Sequence, residues 1–189
     1  MGAMALGLFA TLLMGTILDT IGKYIPISWL SAGLCEAASF AKGASGMAIG
    51  VAIAYSLKSD PLVLFSCAVV GSASYSMGTT IALSSGAEIA YTAGPAGVFF
   101  AAIIAAELGR LVSKKTKIDI LVTPAVTILS GYIVAKLICP AIAYLMYYLG
   151  SFINTATEMR PFVMGIIVSV VVGVILTLPI SSAAICAMI

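Results

Sequence analysis

Apolar positions along this chain fall in long blocks separated by short polar segments. Six blocks approach the roughly 20 residues that a spanning helix needs. They cover about residues 3–22, 43–57, 61–83, 93–112, 118–148 and 161–178. The second is short and rich in Gly and Ala, and the fifth is long enough to tilt or kink. The blocks contain many β-branched residues, but their length and lack of strict alternation argue against the strands of a barrel. The pattern predicts an all-α polytopic membrane protein with about six transmembrane helices. They form a single membrane domain over residues 1–189. The first block lacks the basic leader of a signal peptide and is read as a span.

The segments between blocks set the orientation. In "KYIPISWLSAGLCEAASFAKG" Pro26 breaks the chain, and Trp29 stands where an interface anchor belongs. The part "ISWLSAGLCEAASFAKG" predicts a short interfacial helix with Glu36 and Lys42 on its polar side. The densest basic cluster is "GRLVSKKTKID", with Arg110, Lys114, Lys115 and Lys117. The positive-inside rule puts it in the cytoplasm. Counting back through the spans places "LKSDP" and the N-terminus on the same side. The loops "SSGAEIAYTAGP" and "GSFINTATEMRP" fall outside, with Lys23, Lys42 and Arg160 as outer charges against the bias. The last stretch, "GVILTLPISSAAICAMI", ends regular helix at Pro179. Ser181 and Ser182 can satisfy the freed backbone groups or face a polar cavity. That is how a broken or re-entrant segment begins. The return arm of such a segment is missing, so the chain reads as the front part of a longer protein, or as half of an assembly.

Composition narrows the function. Hydrophobic residues make up 62% and charged residues 8%, about a third of the charged share of a soluble domain. Membrane lipid is therefore the first partner. A net charge of +2 with no basic stripe excludes a nucleic-acid surface. There is no histidine, which removes His metal sites, His phosphorylation and His general-base chemistry. Without a nucleophile–base pair, catalysis by this chain alone is not expected, and no cofactor or metal is implied. Cys35, Cys67, Cys139 and Cys186 form no CxxC pair and read as buried free thiols. Leu6 stands where myristoylation of Gly2 would prefer Ser or Thr.

Several positions are candidates for packing or chemistry. Gly46 and Gly50 form a GxxxG pair, and Gly43 and Gly71 add small faces that let helices approach closely. A substrate groove is the alternative reading. Lys136 lies inside the fifth block, where a charge marks a functional site unless it snorkels to the interface. Glu107 and Arg110, at i,i+3, are read as a local pair. Glu88 and Thr92 lie in a segment too polar for lipid, with Tyr91 beside them. A carboxylate and hydroxyls there suit the hydroxyls of a sugar, and an ordinary outer loop is the alternative. Glu158 and Arg160 read as a solvated loop. Asp119 opens the fifth span against the positive end of the helix dipole, and Pro124 should bend or restart that helix.

The pieces "ELGRLVSKKTK", "KTKIDILVTP" and "MRPFVMGIIVSVVVGVILTLPISSAAI" carry a resemblance that extends over about residues 86–189. The chain resembles the membrane IIC component of the bacterial phosphoenolpyruvate-dependent sugar phosphotransferase system, nearest to its stand-alone IIC-like branch. The resemblance implies a homodimeric carbohydrate permease of the bacterial inner membrane that binds a small sugar in an intramembrane cavity. It also implies a cytoplasmic IIB protein as phosphoryl donor. No IIB domain lies within this chain. On this reading Glu88, Thr92, Lys136, Ser181 and Ser182 are the substrate-binding candidates. The competing readings are a non-transporting membrane sensor or scaffold, and an ion-coupled permease for another small solute.

Overall fold

A computed structural model describes residues 2–82, 88–115 and 118–157, with residues 165–166, 169–170 and 173 beyond them. The predicted span at 161–178, the Glu158–Arg160 loop, Lys117, Cys186 and the Pro179–Ser182 break lie essentially outside the described residues. Helix α1 (Gly2–Leu8) passes through a π-helical turn (Phe9–Leu13) into α2 (Met14–Tyr24). Together they form one helix long and apolar enough to cross a membrane. Pro26 lies in the extended connection to α3 (Ser28–Gly43), which is followed by α4 (Ser45–Ser56).

The segment expected to form a short helix at residues 27–43 is α3. It packs along α2, while α4 packs along α1. Residues 2–56 are thus a helical hairpin whose return arm breaks by 47° at Ala44. At 12 residues, α4 is too short to cross a bilayer alone. It passes the test of length and apolarity only together with α3.

Helix α5 (Pro61–Ser76) starts with Asp60 as its N-cap residue and Pro61 in the first turn, where a missing N–H costs nothing. Its end departs from the predicted 61–83 span. The chain becomes extended at Met77 and forms a two-stranded antiparallel hairpin, β1 (Gly78–Ala82) with β2 (Glu88–Thr92). The local reason is visible in "GTTIA" and "EIAYT", where β-branched and aromatic residues cluster around a Ser- and Gly-containing connection. Helix α6 (Gly94–Val112) then runs back, and α7 (Asp119–Thr157) returns along it. Helix α7 continues through both Pro124 and Pro140; Pro124 does not restart it.

The all-α membrane fold holds, with this one short hairpin added. Among the described residues, three helices are long and apolar enough to cross a membrane, or four if α3 and α4 count as one broken span.

Small side chains hold the bundle together. The core of α5, α6 and α7 contains Ala101, Ala105, Ala106 and Ala135 with Val63, Cys67 and Val70. In lipid, helix association rests on close packing rather than on expulsion of water, and small residues make it possible. At the crossing of α4 and α5, a Cβ added to Gly46 would lie 2.6 Å from Tyr75 Cβ and 2.7 Å from Gly71 O. The GxxxG pair is therefore a helix-packing seam. Gly43 is not part of it, since open space surrounds its Cα.

Candidate functional site

The hairpin is seated at the meeting point of three helices. Ala93 N–H donates to Met77 O at 2.8 Å and closes its base. Gly94 follows with φ of 52°, a left-handed conformation that glycine adopts freely. Pro95 stands in the first turn of α6. Below the base, the Cys139 thiol of α7 points at Ser74 O of α5 at 3.6 Å. A Cβ on Gly97 of α6 would lie 3.1 Å from the same sulfur. Both strands run beside α7.

The register locates two of the candidates. Thr92 pairs with Gly78 at the base, and Glu88 pairs with Ala82 next to the connection. Alternation places positions 88, 90 and 92 on one face of the strand, with about 13 Å between its ends at 3.3 Å per residue. Thr92 is partly buried. Lys136 sits one turn of α7 before Cys139, on an exposed face that also carries Tyr132, Ile133 and Leu137. Ala135 and Cys139 occupy the buried face. The structure therefore brings Glu88 and Thr92 onto one strand beside α7. It sets Lys136 on an outward face of that helix. Ser181 and Ser182 lie outside the described residues.

Exposed aromatic residues are spread along the helices and include Phe9, Tyr24, Trp29, Phe40, Tyr55, Phe65, Phe100, Tyr132, Tyr144, Tyr148 and Phe152. Asp119 and Tyr144 are separated by about 38 Å of helix at 1.5 Å per residue, which spans a hydrocarbon core of about 30 Å. Lys136 lies about 12 Å along the helix from Tyr144. The base of the hairpin lies just above Cys139 of the same helix.

One end of the bundle carries a cluster of charges. Contacts of α1 with α4, and of α5 with the α6–α7 connection, bring the N-terminus, residues 57–60 and the 113–118 connection to one end of the bundle. This is the grouping that counting spans predicted. Asp60 accepts hydrogen bonds from Lys114 Nζ and from Ser113 Oγ, the latter at 2.8 Å. The Lys114 bond, then the Ser113 bond, holds the Asp60 carboxyl below its ordinary value. Asp60 in turn raises Lys114. Asp119 accepts from Lys114 N–H at 3.0 Å and from the buried Thr123 hydroxyl. Its place in the first turn of α7 was legible; its bond to the α6–α7 connection was not. Arg110 and Glu107 form the predicted pair at 3.0 Å.

The hairpin and the ion pairs of Asp19 are among the features that escaped the sequence reading. The hairpin was hidden because each strand is only five residues long and adjoins an apolar helix. The second feature is Asp19, which bonds Lys42 at 2.7 Å and Lys23 at 3.2 Å. The Asp19–Lys23 spacing of i,i+4 was a usable signal. The Lys42 partner requires the α2–α3 hairpin to be known. Cys67 and Cys139 are buried free thiols as expected, whereas Cys35 is only partly buried.

Apolar helices long enough to cross a membrane and joined by small-residue seams define a polytopic α-helical membrane protein. A family model described as "Phosphotransferase system, EIIC" matches residues 1–189, and the chain belongs to that family. It is a multi-pass bacterial membrane protein and a component of sugar transport. Searches of curated proteins and of solved structures gave no match.

Proposed function

We propose that this chain forms part of the sugar-binding wall of a membrane carbohydrate permease, with the β1–β2 hairpin as its substrate-facing element. The observation that carries this reading is the position of the hairpin. A two-stranded ribbon has two edges of unpaired backbone groups. At membrane depth such groups are tolerated only where protein covers them or where they line a watery cavity. Placing Glu88 and Thr92 on that ribbon gives a carboxylate acceptor and a hydroxyl at the rim of such a cavity. These groups suit a polyhydroxylated solute.

In the proposed mechanism Glu88 accepts hydrogen bonds from sugar hydroxyls, and Thr92 donates to or accepts from a further hydroxyl. Lys136 supplies a cation on the exposed face of α7, and Ser181 and Ser182 complete the polar lining. The basic end, with Lys58, Arg110, Lys114 and Lys115, faces the cytoplasm, where a IIB protein would bring phosphate. Two copies of the chain assemble as a homodimer.

Binding is tested by thermal melting of the purified protein against a panel of sugars and sugar phosphates. A ligand at 100 times its Kd stabilises the folded state by about 2.7 kcal/mol. Glu88→Gln should weaken binding about tenfold or more, the loss of a hydrogen bond to a charged group. A shift that Glu88→Gln leaves unchanged would remove the hairpin from the site.

A further inference from the structure

The first helical hairpin is interrupted twice, and both interruptions fall at the same level. In the outgoing helix the π-turn Phe9–Leu13 has Met14 N–H bonded to Phe9 O, five residues back. In the returning helix the chain bends by 47° between α3 and α4. The π-turn touches both α3 and α4, so it faces the break directly. None of its five residues is buried. π-Turns within α-helices recur at functional sites, and sharp kinks arise at such turns.

The parts on either side of this level differ. Toward the basic end, α1 and α4 pack into the bundle, with Met4, Leu8, Ile49 and Ile53 in one cluster with Val98 and Ala102 of α6. Away from it, α3 packs chiefly on α2. This outer pair is firmly joined. An added Cβ on Gly15 would lie 3.2 Å from Ala38 O, and one on Gly22 would lie 2.9 Å from Cys35 Sγ and 3.3 Å from Ser31 O. Lys42 and Lys23 both hold Asp19. The only described α3 residue with a fully core position is Ala38.

We infer that Met14–Gly43 is a rigid two-helix arm that pivots on the bundle about the paired breaks at Phe9–Leu13 and Gly43–Ser45. The glycine contacts and the Asp19–Lys42 ion pair keep the arm intact, and motion is confined to the level where the outgoing helix has its π-turn and the returning helix bends. Hinge motion of this kind concentrates in a few residues at element ends. The inference is independent of the sugar-binding reading.

Two measurements test it. The first uses paired spin labels in a variant with all four cysteines replaced by alanine, reconstituted in lipid nanodiscs. One pair joins the arm tip to the bundle (Gly33→Cys with Leu129→Cys), and a reference pair lies within the bundle (Tyr55→Cys with Leu129→Cys). These positions are exposed. The arm pair should show a distance distribution about twice as wide as the reference pair, as expected for a domain-like motion. Equal widths would overturn the hinge. The second is hydrogen exchange on the unmodified chain. Amides of 9–13 and 43–45 should exchange well ahead of those in 15–22 and 30–41. Exchange as rapid in the arm as at the breaks would show fraying instead of a rigid arm, and would also overturn it.

Discussion

At the scale of single residues, glycine decides whether the helices can meet. A Cβ on Gly71 would lie 3.2 Å from Gly46 C and from Gly50 Cα, with Gly46 O closer still. All three neighbours are backbone atoms, which cannot swing aside. Gly71→Val should therefore destabilise the protein by about 2 kcal/mol, the cost of overpacking a fitted core. A lowered melting midpoint in detergent is the readout, and an unchanged midpoint would show that α4 and α5 do not cross there. Gly43→Ala is the control, because open space surrounds that residue. Gly94→Ala should cost about 1 kcal/mol for a different reason, a Cβ in a left-handed conformation. The sequence made the first effect readable through Gly46 and Gly50, since GxxxG states a packing preference. It could not separate Gly43 from its neighbours, because the helix break that turns Gly43 away depends on how residues 2–56 fold back.

At the scale of elements, the α5 start and the α6–α7 connection are tied through one carboxylate. Asp60 joins Lys114 and Ser113 and has its pKa lowered from 3.8, chiefly by the Lys114 hydrogen bond. A carboxyl whose folded value is depressed contributes stability above its unfolded value. That contribution is lost as pH falls through the folded value. The tie should therefore hold near neutral pH and loosen well below pH 4, the ordinary carboxyl range. A spin label at Lys115→Cys should gain mobility over that acid range, and Asp60→Asn should give the mobile spectrum at neutral pH. A label equally mobile in the parent protein and in Asp60→Asn would show that the tie does not restrain the connection. The cluster "GRLVSKKTKID" was legible as a charged end. Its partner Asp60 lies more than fifty residues away and becomes visible only when α5 and α6 are antiparallel. The β1–β2 hairpin escaped for a related reason. A strand following an apolar helix without a charged boundary reads as more helix, and only the alternating "EIAYT" hinted otherwise.

At the scale of the whole molecule, the amino-acid pattern established a helical membrane protein before any coordinates did. The first, fourth and fifth predicted spans correspond to Gly2–Tyr24, Gly94–Val112 and the long helix from Asp119. Hydropathy works here because lipid forces every backbone group to be satisfied within its own helix. It fails where the backbone leaves regular helix, at the α3–α4 break and at the hairpin. The site was less legible than the fold. Residue types suited to sugars singled out Glu88, Thr92 and Lys136, yet a hairpin register is needed to place the first two on one strand, and Lys136 stands on an outward face of α7. The most direct test of the account is a melting titration of the parent protein and Glu88→Gln with a sugar panel in detergent. The account predicts a saturable rise for one sugar class in the parent and a rise displaced to about tenfold or more higher concentration in Glu88→Gln. A well-folded parent protein with no rise for any sugar would contradict it.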